Sequence, residues 1–124
     1  MPRTVLVGLG GLVGSLARYW LAGIMQRLTG SDFPMGTLTV NVLGSFVVGV
    51  VMMLSLERGL LSPDMRLLLA VGLCGGFTTM STFSYETVAL LRDGEMALAF
   101  GNLGATLGMC FLAVWLGSLV GRLL

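Results

Sequence analysis

The chain has no histidine and no lysine among its 124 residues, and only 10% of them are charged. Without histidine there is no imidazole to act as base, proton relay or metal ligand. The seven basic residues are all arginines scattered along the chain, so no basic patch exists and no nucleic-acid partner is expected. Cysteine occurs only twice. Cys74 and Cys110 both fall in apolar runs, show no metal-type spacing and read as small buried residues. No nucleophile–base pair and no metal cluster can be assembled from what remains, so an enzyme is not expected. A soluble domain carries about 25% charged residues. A chain this poor in charge, 56% hydrophobic and with a mean hydropathy of +0.96, belongs in a bilayer.

Long apolar segments take the place of the missing charge. They imply an all-α membrane protein, a single four-helix transmembrane domain over 1–124 with helices at 4–28, 33–57, 65–92 and 96–122. Arg3 and the apolar run after it have the outline of a secretory leader. No A-x-A-like site follows, however, and the apolar pattern resumes after Arg18, so the first helix is expected to be retained. In that helix Gly10 and Gly14 form a G-x-x-x-G pair, a spacing that lets helix backbones approach closely in lipid. Arg18 interrupts the run. Its guanidinium must snorkel, pair or face water, and a pore-mouth or pairing role fits its depth better than a helix-end anchor does.

Asp32 is placed to cap the second helix, with Pro34 in the first turn. Thr37, Asn41 and Ser45 then recur four residues apart beside Gly44 and form one polar stripe. A membrane asparagine can be interhelical glue, but a whole stripe of hydrogen-bonding side chains points to an aqueous or ion-facing surface. Ser62-Pro63-Asp64 reads as a cap, a first helical proline and an acid suited to the helix dipole. The fourth segment is uncharged over 96–121, with Asn102 and Thr106 near its start and Gly101, Gly104 and Gly108 along another close-packing edge. Four crossings bring both termini to one side, with Arg3, Arg58, Arg66 and Arg122 there and Arg27 and Arg92 opposite. So weak a bias is compatible with insertion in both orientations, and hence with an antiparallel homodimer about an axis in the membrane plane.

The stretch 72–86 departs from this apolar pattern. It packs three glycines, three threonines, two serines and a carboxylate into one membrane segment. Lipid offers nothing to a freed peptide group, so such a stretch must be buried in protein or line a cavity. Gly75-Gly76 followed by Thr78-Thr79 weakens the helix, and a break there is favoured over a continuous glycine-packed helix. Carbonyls of 75–79 would then be free for a bare alkali cation. Beyond the break Ser81, Ser84 and Tyr85 share a face, with Thr82 and Glu86 on the next, while Met80 and Phe83 are three apart. An anion here would meet hydroxyl and amide donors and the electropositive rim of Phe83, which favours a small, strongly accepting one. Plain aromatic packing is the other reading of Phe83.

At these residues the chain resembles the Fluc/CrcB family of fluoride channels. Gly10-Gly11-Leu12-Val13-Gly14-Ser15-Leu16-Ala17-Arg18-Tyr19 is similar to the family's first-helix motif, Gly36-Thr37-Leu38-Thr39-Val40-Asn41-Val42-Leu43-Gly44-Ser45-Phe46 to its second, and 72–86 to its third. The resemblance implies an antiparallel dual-topology homodimer with two fluoride pores and a central structural sodium ion held by backbone carbonyls of Gly75 and Thr78. It also implies Asn41 as a pore-lining residue, Arg18 in a vestibule, Ser81 and Thr82 along the path, and Thr37 and Glu86 near its ends. One position departs from the pattern. Where the family has a pair of phenylalanines three apart, Phe83 stands second and Met80 first. A thioether fills the space but lacks the ring's electropositive rim, so altered fluoride coordination and slower permeation are expected.

The function implied is passive, fluoride-selective export across the plasma (inner) membrane, with fluoride, the lipid bilayer and a second copy of the chain as partners. The alternative is a proton-coupled small multidrug-type transporter, which needs a deeply buried carboxylate. The first helix has none, and Glu86 lies near the end of its segment. A third reading is a non-transporting assembly subunit.

Overall fold

A computed structural model describes residues 2–124. Among these residues there is no strand, and four spans are long and apolar enough to cross a membrane. They are α1 (Arg3–Thr29), α2 (Met35–Glu57), a third span Pro63–Arg92 made of α3 (residues 63–77) and α4 (Met80–Arg92), and α5 (Met96–Leu123). The protein is an all-α, multi-pass membrane protein.

The helix ends follow local chemistry with one exception. α1 stops at Gly30, which takes the left-handed conformation at φ 56° and returns its N–H to the Gln26 carbonyl. Ser62 caps α3 by accepting the Met65 amide at 3.1 Å. Asp32, expected to cap α2, does not. The helix begins at Met35, and Gln26 reaches across from the last turn of α1 to do the work instead. Its Oε1 accepts the Gly36 amide at 3.1 Å, and its Nε2 donates to the carbonyls of Ser31 and Phe33 at 2.8 and 3.1 Å.

Two interfaces hold the bundle. α1 lies against α3 so closely that a methyl group on Gly14 would collide with the Leu73 carbonyl and sit 2.9 Å from the Phe77 amide. The partner surface is itself unusual, because 67–74 is wound as a π-helix. α2 and α5 meet in the same manner, Gly117 resting on the Phe46 carbonyl. The edge expected at Gly104 and Gly108 is not used within the chain, since nothing lies within 4 Å of where their side chains would begin.

The polar ends are tied separately. At one, Arg3 Nε pairs with Asp64 Oδ1 at 3.5 Å, and Arg58 Nη1 donates to the Arg122 carbonyl. These contacts gather both ends of the chain and the α2–α3 connection on one side, as four crossings require. Gln26, Asp32, Pro34, Glu86 and Asp93 surround a pocket of about 220 Å³ at the other.

Candidate functional site: a helix break facing a groove

The third span breaks at Thr78-Thr79, inside the stretch expected to open, at its threonines and not at its glycines. Thr78 (φ −93°, ψ 160°) and Thr79 (φ −152°, ψ 115°) are extended, a conformation that β-branched residues favour. Gly75 and Gly76 remain helical. Gly76 serves packing, since a methyl group on it would stand 2.7 Å from the Gly11 carbonyl.

An extended pair inside a membrane must find hydrogen-bond partners or forfeit about 1–3 kcal/mol for each buried group left unpaired. Asn41 supplies two of them. Its Oδ1 accepts the Thr79 amide at 2.8 Å and its Nδ2 donates to the Thr79 carbonyl at 3.2 Å, so one side chain stands in for a neighbouring strand. The Thr79 hydroxyl accepts the Thr82 amide at 3.1 Å, capping α4, and lies 3.0 Å from the Thr82 hydroxyl and 3.3 Å from that of Ser81. Thr78 Oγ1 donates back to the Cys74 carbonyl at 2.9 Å.

Those substitutions release backbone carbonyls. The helical donor for Gly75 would be the Thr79 amide, which goes to Asn41; that for Thr78 would be the Thr82 amide, which goes to Thr79 Oγ1. Between them the Gly76 carbonyl accepts Arg18 Nε at 3.0 Å. The carbonyls of Gly75 and Thr78 are therefore uncharged hard oxygens without their helical donors, a donor set that fits an alkali cation.

Beside the break lies an open groove of about 300 Å³. Asn41, Ser45, Thr78, Thr79, Met80 and Phe83 line it on one side, and Thr106, Leu107, Cys110 and Val114 of α5 on the other. Two of its members on α4 differ sharply in exposure: Phe83 is 4% exposed, Met80 71%. A hydrogen-bonded chain steadies this wall. Thr106 Oγ1 donates to Asn102 Oδ1 at 3.2 Å, Asn102 Nδ2 to Thr87 Oγ1 at 2.9 Å, and Thr87 Oγ1 to the Phe83 carbonyl at 2.8 Å. All three side chains are buried.

The family model described as "CrcB-like protein, Camphor Resistance (CrcB)" matches residues 5–118. The chain belongs to the CrcB family. Among its curated relatives are proteins named "Fluoride-specific ion channel FluC". That of Thermus thermophilus is 52% identical, over 98% of this chain and all of its own length. Those of Geobacter metallireducens and Geotalea daltonii are 47% and 42% identical over 98% of both chains. The name is that of a channel and not of an enzyme.

Within this CrcB chain, the residues singled out in the sequence fall into three places. Asn41, Met80 and Phe83 share the groove, and Ser81 and Thr82 join it through the Thr79 hydroxyl. Arg18 stands at the break, half-buried, bonded to Gly76. Thr37 is buried on α2 one turn before Asn41, and Glu86 lines the end pocket, with its Oε1 buried and lacking a hydrogen-bond partner. Sequence reasoning missed Thr79 as the hub of the break, and the contribution of Thr106 and Cys110 to the groove. The four-residue spacing of Asn102, Thr106 and Cys110 was the available signal.

Proposed function

We propose that the protein is a fluoride-selective channel through which fluoride leaves the cell passively, in the plasma (inner) membrane. The observation that carries this reading is the state of the Asn41 amide. Its nitrogen has two hydrogens; one is given to the Thr79 carbonyl, and the other is left for a guest in a groove that holds Phe83 and Thr106 and no carboxylate. Donors that carry no full charge, in a narrow and partly dry space, favour the small anion that accepts hydrogen bonds most strongly. Ser81 and Thr82 extend the hydroxyl path, Thr37 and Glu86 lie toward its ends, and Arg18 supplies vestibule charge. Fluoride enters from acidic surroundings as its neutral acid and ionises inside, so a conductive exit for the anion lowers the internal load.

The working unit in this reading is an antiparallel, dual-topology homodimer with two pores. Support comes from the surfaces the single chain leaves open: Met80, Ser81, Ser84 and Tyr85 on α4 are exposed, and Gly104 and Gly108 on α5 have no intrachain neighbour. A second copy would close a groove that one chain only half encloses. A structural sodium ion belongs to the same reading, held by the Gly75 and Thr78 carbonyls, and when bound it would balance their dipoles. Met80 in place of a ring makes permeation slower.

The buried, unpartnered Oε1 of Glu86 is the feature that favours the alternative, a proton-coupled small multidrug-type transporter. Flux from purified protein in liposomes separates the readings. Fluoride efflux with chloride retained and no pH-driven uptake of an organic cation is the expected result. Organic-cation uptake without fluoride efflux would establish the alternative, and absence of all three fluxes a non-transporting subunit.

A further inference from the structure

Arg18 and the seat read above for a cation share one helix end. The break removes the Met80 amide that would have served the Gly76 carbonyl, and Arg18 Nε takes its place at 3.0 Å. Gly76 lies between Gly75 and Thr78, whose carbonyls have lost their own helical donors. No carboxylate pairs with the half-buried guanidinium among the described residues, where the one ion pair is Arg3 with Asp64. The charge of Arg18 is therefore answered only by the carbonyl end of α3, which carries about half a negative elementary charge.

We propose that Arg18 is a positioning residue that sets the affinity and the valence of this cation seat. Held on the middle carbonyl, the guanidinium stops the end of α3 from unwinding further, so the flanking carbonyls stay in register. At the same time its positive charge opposes any cation bound beside it. A monovalent ion is admitted weakly, and a divalent ion, which feels twice the repulsion, is shut out. This inference rests on the sodium reading above and adds to it that the guanidinium assigned there to the vestibule also tunes the cation.

The test uses thermal melting of the purified full-length protein in detergent, without fluoride. Sodium chloride is exchanged for N-methylglucamine chloride at constant ionic strength, so that a rise in Tm with sodium gives an apparent Kd. Arg18→Gln is expected to bind sodium more tightly, on the order of tenfold, and to gain a calcium-dependent rise in Tm that the parent protein lacks. Arg18→Lys keeps the charge and is expected to stay within about threefold of the parent. Arg18→Met, which keeps length and packing without charge, repeats the measurement if the glutamine variant does not fold. A uniformly lower Tm with an unchanged sodium midpoint would mean a purely structural role and would overturn the proposal, as would weaker sodium binding. A parent protein whose Tm ignores sodium would instead overturn the sodium reading and this inference with it.

Discussion

The two halves of the third span solve the same problem by different means. α3 is held by backbone: glycines on α1 admit its carbonyls to van der Waals contact, and its interior polar groups are satisfied by its own helical winding. α4 is held by side chains: a capping hydroxyl at Thr79 and the chain of bonds from Thr106 through Asn102 and Thr87 to Phe83. The first half is closely packed, backbone against backbone, at Gly10, Gly14 and Gly76. The second presents an unfinished surface, with a groove on one side and exposed Met80, Ser81, Ser84 and Tyr85. Asn41 joins them, and it alone satisfies both the amide and the carbonyl of one residue at the break, Thr79.

The largest effect is therefore expected at that joint. Asn41→Leu keeps the bulk but leaves both the amide and the carbonyl of Thr79 without partners. It should lower stability by about 2–6 kcal/mol in thermal or denaturant melts and bring fluoride efflux to background. A variant that melts like the parent would show that the break does not depend on Asn41. Next comes the backbone-packed half. Gly14→Val must push α1 away from the Leu73 carbonyl, at a cost of about 1–3 kcal/mol, whereas Gly8→Ala, on the same helix with nothing within 4 Å, should not lower the melt by more than about 0.5 kcal/mol. Equal effects at the two glycines would erase the distinction between packed and open positions.

In the side-chain-held half, Thr87→Val and Asn102→Leu should be coupled by about 1 kcal/mol in a double-mutant cycle. Strict additivity would mean that the bond between them contributes nothing. The smallest stability effect belongs to Met80→Phe, since the residue is mostly exposed. Fluoride efflux from liposomes should nevertheless rise, and equal rates would show that a ring at this position is not what limits permeation.

The long uncharged runs made the four spans legible, because a bilayer leaves helix as the only way to satisfy a spanning backbone. The Ser62 cap and the close approach at Gly14 could be read locally for the same reason: both depend on residues adjacent in sequence or one turn apart. The break falls within the expected stretch but at its threonines, since glycine in a membrane helix serves packing as readily as bending, and Gly76 does the former. What fixes it at Thr79 is a pair of bonds to a residue 38 positions away. The α2 cap was misassigned to Asp32 for a related reason: Gln26, on the previous helix, reaches the Gly36 amide first. The contact of Arg18 with Gly76, 58 positions apart, also needed the fold. Chemistry that spans helices was invisible in the sequence except as residue types out of place in lipid.

The groove beside the break is the claimed path, and the native Cys110 offers a direct probe of it. Cys110 lines the groove and is half-buried, while Cys74 is only 2% exposed. Initial fluoride efflux from proteoliposomes would be measured before and after complete labelling with a methanethiosulfonate, using Cys110→Ser as the reagent control. Labelling should bring efflux of the parent protein close to background and leave the rate of the serine variant where it was before the reagent. Undiminished efflux through fully labelled Cys110 would place the fluoride path somewhere other than this groove.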